Sequence, residues 1–390
     1  MPQPAPEAVE VSRQLTQRIG TAIQAAGGWI GFDRYMSMAL YEPGLGYYSN
    51  GKPVFGPVGD FVTAPELTPL FGAAVSRQVG PWLKECCADA PLVIEFGAGS
   101  GALASQLLNS LERQGFGNLR YRIVEVSGDL RRLQQQNISA RAPQMAGQVE
   151  WLDAAPTAFD GVVIANEVLD AMPVRTFEWN GDSLTEVGVA VVNGRLDWQG
   201  RPADAGLEAL VGELEIDRSV WHLPYRSEIC PLHGPWLNTV AQAMRTGAVL
   251  LMDYGFPAAE YYHPQRVGGT LMSHYRHRSL TDPFLWPGLQ DITAHVDFSR
   301  VMAAGEAAGL QALGYTSQAR FLLNCGLLAE LEALPRDEQR LWFAQAQAVQ
   351  RLVSEAEMGE LFKALAFVKG MPATASSPGF DEGDRMAALR

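Results

Sequence analysis

Residues 92–101 read Leu-Val-Ile-Glu-Phe-Gly-Ala-Gly-Ser-Gly, and this string leaves the chain little choice of fold. The run Leu92, Val93 and Ile94 has no polar alternation, so a strand built from it is buried on both faces. It ends in Glu95, then in Gly97, Gly99 and Gly101, and a helix-compatible stretch follows from Ala102 to Leu108. Glycines at alternate positions permit a turn that brings bare backbone to a helix N-terminus. A buried parallel strand, a glycine turn and a helix begin a doubly wound α/β sheet, with a ligand beyond the strand's carboxyl end.

The chain continues in the same alternation. Four further short apolar runs, Tyr121–Val126, Val149–Leu152, Gly161–Ala165 and Ala248–Met252, predict strands separated by helical segments. Such runs imply a parallel sheet covered on both faces. About eighty residues separate the fourth run from the fifth, too many for one crossover helix. They predict an inserted subdomain at about 171–246, with a hairpin-like region over Arg175–Trp198. Ahead of the glycine strand, residues 8–40 look helical with a break near Gly27-Gly28. A turn-rich stretch, Tyr41 to Glu66, and a helix from about Thr68 to Lys84 follow. The expected division is an N-terminal helical and loop extension over 1–85 that forms a lid, a core over 86–370, and a disordered tail over 371–390.

Composition narrows the function classes. The chain carries 30 basic and 43 acidic residues, a net charge of −13, with no basic cluster. This excludes sequence-independent binding to a nucleic-acid backbone. Cys86, Cys87, Cys230 and Cys325 have no metal-ligand spacing, and the adjacent pair is poorly placed to form a disulfide. Reduced thiols, no visible secretion signal and no apolar run of membrane-spanning length predict a soluble cytoplasmic protein. The six histidines form no metal-type pattern; His274 and His277 are three apart, but outside any helical register. A Walker A lysine and a Gly-x-Ser-x-Gly elbow are both missing from the sequence.

In a doubly wound sheet the polar residues at the strand ends are the candidates for chemistry. The glycines alone also satisfy the dinucleotide pattern. Glu95 argues against a pyrophosphate, because its carboxylate would repel one. It suits a cofactor carrying an ammonium and a sulfonium, which S-adenosylmethionine does. Glu125 lies 24 residues beyond Gly101, where a carboxylate can accept both ribose hydroxyls. Asp153 could accept from the adenine amino group or cap a helix. Asn166 and Glu167 end the fourth run. If a helix starts there, Glu167 and Asp170 lie three apart on one face, as two acids able to hold a cationic acceptor.

The chain resembles the MidA-type methyltransferases, which include the mitochondrial arginine methyltransferase that assists assembly of respiratory complex I. The matching pieces are Tyr41-Glu-Pro-x-x-Gly-Tyr-Tyr48, Gly59-Asp-Phe-Val-Thr-Ala-Pro-Glu66, Glu95-Phe-Gly-Ala-Gly-Ser-Gly101, Asn166-Glu-Val-Leu-Asp-Ala-Met-Pro-Val174, Asp291-Ile-Thr-Ala-His-Val-Asp-Phe298 and Glu357-Met-Gly-Glu-Leu-Phe-Lys363. The resemblance implies a class I, Rossmann-like, seven-stranded methyltransferase core, S-adenosyl-L-methionine as donor and a protein arginine side chain as acceptor. The expected catalytic acids are Glu167 and Asp170. The expected cofactor-binding set is Glu95, Gly97, Ala98, Gly99, Gly101, Glu125, Val126, Asp153 and Asn166, joined by Thr63 and Glu66 from the loop 59–66. Neither a metal nor an integral membrane segment is expected. Alternatives from other classes are a cofactor-binding assembly factor that works by docking a partner, a small-molecule methyltransferase, and a nicotinamide-dependent oxidoreductase using the same glycines.

Overall fold

The computed structural model describes residues 3–51, 63–87, 89–276, 278–336, 338–372 and 375–390. The chain divides into two compact units, one drawn from 62–169, 234–255 and 298–390, the other from 1–61, 170–233 and 256–297.

The first unit contributes seven strands to an eight-stranded central sheet, whose eighth is the short pair Val296–Asp297 against the fifth: β1 (Leu92–Phe96), β2 (Arg120–Val124), β3 (Val149–Leu152), β4 (Phe159–Asn166), β5 (Met244–Phe256), β6 (Gln311–Ser317) and β7 (Phe362–Lys369). Their spatial order is β3-β2-β1-β4-β5-β7-β6. The first five are parallel to one another, and β7 is antiparallel to both β5 and β6. The order reverses between β1 and β4, so a crevice opens there at the carboxyl ends. All four apolar residues Val162–Ala165 of β4 and all five of Ala248–Met252 in β5 are fully buried, as two covered faces require.

Helix α4 (Leu70–Cys87) and α5 (Ala102–Arg113) cover one face; Leu103, Leu107 and Leu111 of α5 recur at helical spacing and are buried. The expected extension over 1–85 therefore ends earlier, because α4 packs with the sheet: Phe71, Val75, Val79 and Trp82 belong to the same apolar cluster as Val93 and Tyr121.

The second unit has its own core. Helix α1 (Pro6–Ala25) buries Leu15, Ile19 and Ile23, one residue per turn, and α2 (Phe32–Tyr41) buries Phe32, Tyr35, Met36, Ala39 and Leu40. Gly27 and Gly28, both at positive φ, separate them as the sequence predicts. The insertion supplies a four-stranded antiparallel sheet in the order 195–202, 184–192, 175–179, 225–229. Residues 256–297, which the sequence reading assigned to the core, belong here and contribute a three-stranded sheet of 278–280, 272–275 and 291–293.

The tail departs most from expectation. Instead of a disordered segment, 375–390 carries 3-10 turns at Pro378–Phe380 and Met386–Leu389. Phe380 is 9% exposed and packs beside Phe321, with ring centroids 5.4 Å apart. The Trp82 indole donates to Ser377 at 3.1 Å, and Asn324 donates to the Gly379 carbonyl at 3.1 Å. A polar composition does not reveal one aromatic anchor. Phe380→Ala should lower stability by about 3 kcal/mol in urea titration of the full chain, the usual cost of removing a buried aromatic ring; no change would mean that the tail does not hold the core.

Candidate functional site

The glycine loop follows β1 as predicted. Gly97, Gly99 and Gly101 have φ of 62°, 54° and 81°, a region that side-chain-bearing residues avoid. A Cβ at Gly97 would lie 2.9 Å from Val168, and one at Gly101 would lie 3.3 Å from the backbone of Gln134. Gly101 leads into α5, with the Ser105 N–H donating to its carbonyl at 3.0 Å. Ala98 is buried in the apolar cluster, so its contribution toward the crevice is through backbone.

Glu95 does not stand free at the loop. It is 2% exposed, and its Oε2 accepts the Tyr121 hydroxyl of the neighbouring strand at 2.6 Å. Burial raises its carboxyl to about 7, against the opposing effect of the Tyr121 bond. The acid is thus half ionised near neutrality.

Glu125 follows β2 and is held on both oxygens. Oε1 accepts the Ser127 N–H at 2.8 Å and Oε2 accepts the Gln134 amide at 3.1 Å. Its carboxyl is raised by burial. Gln134, which sequence reasoning missed, lies on α6 (Gly128–Arg141) and is fully buried. Its Nε2 also donates to the Gly99 carbonyl at 3.0 Å, and its Oε1 accepts from the Trp151 indole at 2.9 Å. One carboxamide therefore ties the glycine loop, Glu125 and β3. Nothing in a Leu-Arg-Arg-Leu-Gln-Gln-Gln run distinguishes this glutamine from its neighbours. Val126, beside Glu125, is 79% exposed and offers an apolar surface to solvent.

Asp153 caps no helix; residues 153–158 form bends and irregular backbone. Its Oδ1 accepts from Arg131 at 2.5 Å, and the same guanidinium reaches the carbonyls of Glu125 and Leu152. The loop expected to be a lid, 59–66, lies outside the described residues up to 62. Thr63 precedes a short helix, α3 (Ala64–Leu67), and the Glu66 carboxylate accepts the Ser100 hydroxyl of the glycine loop.

The helix expected to carry Glu167 and Asp170 does not form. Glu167 has φ 54°, and its N–H donates to the Met252 carbonyl at 2.8 Å. The next two N–H groups, of Val168 and Leu169, both donate to Asp253 Oδ2, at 3.1 and 2.9 Å. A fully buried carboxylate from β5 thus turns the chain before a helix can start, and Pro173 disfavours helix at the residue before it. Asn166 donates to Glu167 Oε1 at 3.2 Å. A non-glycine residue in the left-handed region costs on the order of 1–3 kcal/mol and is held only where its surroundings over-determine it.

Asp170 belongs to the other unit. There its carbonyl accepts the Ala294 N–H at 3.0 Å, the Tyr41 hydroxyl donates to the Ala171 carbonyl at 2.8 Å, and the Tyr48 hydroxyl donates to Asp291 at 2.9 Å. Burial, followed by the negative charge of Asp291 and the neighbouring Tyr41 and Asp170, keeps the Tyr48 hydroxyl un-ionised. Three motif pieces, 41–48, 166–174 and 291–298, meet in this cluster. The helical spacing that paired Glu167 with Asp170 is gone. Among the described residues no group of histidine, cysteine and acid side chains could hold a metal.

Comparison with known proteins identifies the family to which this fold belongs. The profile of an S-adenosyl-L-methionine-dependent methyltransferase family matches residues 74–316. A COG1565 superfamily member from Burkholderia thailandensis, crystallised with S-adenosyl-homocysteine, is 45% identical, with a TM-score of 0.93 over 99% of both chains. The mitochondrial protein arginine methyltransferase NDUFAF7 of Rattus norvegicus is 27% identical over 89% of this chain and 86% of its own. That of Mus musculus is 28% identical over 86% and 80%.

Glu95 generates a prediction. In the unfolded chain its carboxyl returns to 4.5, below its folded value of about 7. Its stabilising contribution is therefore full below pH 4.5 and lost as pH rises through 7, by about 3 kcal/mol in total. Urea titrations of the cofactor-free protein from pH 4.5 to 8 should show this decline. Glu95→Gln, neutral throughout, should remove that part of it; parallel curves for the two proteins would reject it.

Proposed function

Because this chain belongs to the S-adenosyl-L-methionine-dependent methyltransferase family, we propose that its acceptor is a protein arginine side chain, held by Glu167. The observation that carries this reading is the carboxylate of Glu167, kept in a strained backbone conformation at the exit of β4. Two kinds of relative support it: the NDUFAF7 proteins, named as arginine methyltransferases, and the Burkholderia thailandensis protein, which binds S-adenosyl-homocysteine.

The residues of the crevice fit the donor. Each Glu125 oxygen already accepts one protein N–H and keeps a further lone-pair site for a ribose hydroxyl. The three glycines present backbone without Cβ atoms, and Val126 offers an apolar face for a purine.

When bound, the donor supplies a methyl group already activated on a sulfonium. What this chain must do is align the acceptor nitrogen behind it, which can contribute roughly 7–11 kcal/mol. A general base would add only about 10²–10⁴-fold. A guanidinium is charged at physiological pH and its lone pairs are delocalised. Glu167 accepts from two of its N–H groups, draws the positive charge toward them and leaves the third nitrogen richer in electrons. Asn166 holds the Glu167 carboxylate, and Asp253 holds the turn beneath it.

Asp153 and Glu66 are placed at the edges of the donor site in this reading, with Thr63 beside Glu66. The cytoplasm is the proposed location, in keeping with four cysteines outside any disulfide, and respiratory complex assembly the proposed setting, in keeping with the family resemblance. No helix among the described residues is long and apolar enough to cross a membrane.

Glu125→Ala should weaken donor binding by about 1.5–3 kcal/mol, the range for hydrogen bonds to a charged acceptor, measured by calorimetry with S-adenosyl-homocysteine. Unchanged affinity would remove it from the ribose. Glu167→Gln should lower turnover roughly 10²-fold or more with donor affinity nearly unchanged, because charge localisation matters most as the nitrogen attacks. Incubation with methyl-labelled donor and a cell lysate, followed by mass spectrometry, should place the label on arginine. Label on lysine, on a carboxylate or on a small molecule would refute the acceptor assignment.

A further inference from the structure

We propose that Cys86 and Cys87, in the last turn of α4, form a peroxide-responsive dithiol that closes reversibly to a vicinal disulfide. Consecutive residues of a helix point in different directions, so adjacent cysteines there do not ordinarily meet. Here the two sulfurs are 3.2 Å apart, and both residues are half-buried rather than sealed in the core. The thiols face each other at the helix end, beyond which the chain enters β1.

The two are not equivalent. The hydrogen bond between the two sulfurs, in which either can donate, and burial raise the Cys86 thiol. That bond, the Leu92 N–H and the nearby Arg120 guanidinium favour the Cys87 thiolate, against partial burial and the charge of Asp160. A half-buried thiol pushed toward its thiolate, with a second thiol in contact, is the arrangement of a redox-sensing cysteine with its resolving partner. Cys325 differs: it is buried, with its thiol pushed up to about 12. Cys230 Sγ donates toward the Pro173 carbonyl at 3.6 Å.

The chemistry balances with a hydroperoxide as oxidant. The Cys87 thiolate attacks the terminal oxygen, giving the sulfenic acid and, after proton transfer, water or an alcohol. The Cys86 sulfur then attacks the sulfenic sulfur, forming the S–S bond and releasing water with the Cys86 proton. Adjacent Cα atoms lie about 3.8 Å apart across a trans peptide, closer than the roughly 4.4–6.8 Å of ordinary disulfides. The eight-membered ring is therefore strained and readily opened by a cellular dithiol. Closure also takes from the Leu92 N–H, at the first residue of β1, the thiolate it bonds.

The test treats the full chain with equimolar hydrogen peroxide, denatures it in iodoacetamide and maps the tryptic fragment Glu85–Arg113, which holds these two cysteines and no other. The fragment should be lighter by two hydrogens and unalkylated, and dithiothreitol should restore it, while Cys230 and Cys325 are alkylated. In Cys86→Ser, oxidation should stop at a sulfenic acid that dimedone traps on Cys87. In Cys87→Ser, Cys86 should react ~10-fold or more slowly, as a protonated thiol does. Donor binding by both variants verifies that they are folded. Equal rates for the two variants, oxidation of Cys230 as fast as Cys87, or a disulfide joining two chains would overturn the proposal.

Discussion

The carboxamide of Gln134 is the interaction on which the donor site depends. A parallel sheet fixes its strands by their ladder hydrogen bonds, but those bonds stop where the ligand site begins. Beyond them the chain needs other means to keep loop exits in register. Gln134 bonds the Gly99 carbonyl, the Glu125 carboxylate and the Trp151 indole at once. All three partners sit in or at the ends of different strand exits, so one side chain sets the distance between the glycine loop and the Glu125 carboxylate. Buried polar groups linked this way are costly to leave half satisfied, since each lost partner exposes another unpaired atom to a low-dielectric interior. Asn137, one turn further along α6, repeats the device by donating to the Ser100 carbonyl at 2.8 Å.

A second carboxylate does the same on the other side of the switch point. Asp253 belongs to β5 but serves the loop after β4, accepting the N–H groups of Val168 and Leu169. It explains why two acids with helical spacing sit in a segment that is not helical. The turn it enforces puts Glu167 in the left-handed region, a conformation that glycine would adopt without strain. That a glutamate occupies it instead marks the side chain, not the backbone, as what the position requires.

The strands and the glycine turn were legible in the sequence because their signals are local: apolar runs of four or five residues, and glycines where positive φ is required. The insertion was legible from length alone. What stayed hidden depends on contacts between distant residues. Gln134 and Asp253 look ordinary in sequence, and their roles appear only when α6 and β5 are set beside the loops they hold. The tail misled for the opposite reason: its polar composition outweighs the single ring of Phe380 in any average. Glu95 was read as an acid facing a ligand, whereas Tyr121, 26 residues away, takes it into the interior. Cys86 and Cys87, expected not to pair with each other, form no disulfide, yet the end of α4 brings their sulfurs to 3.2 Å.

The order of the strands has a consequence for how the chain comes to be folded at all. β7 lies between β5 and β6, so these two have no direct pairing with each other. On a ribosome, β5 is complete by residue 256, yet its partner on that side begins at Phe362. More than a hundred residues are synthesised while one edge of a very apolar strand, Ala248–Met252, has no neighbour. Open strand edges of this kind recruit other chains, and nonlocal pairings are slow to close. A nascent chain of this protein is thus exposed to aggregation until its C-terminal strand arrives, and truncation ahead of residue 369 removes an internal strand of the sheet rather than an edge strand.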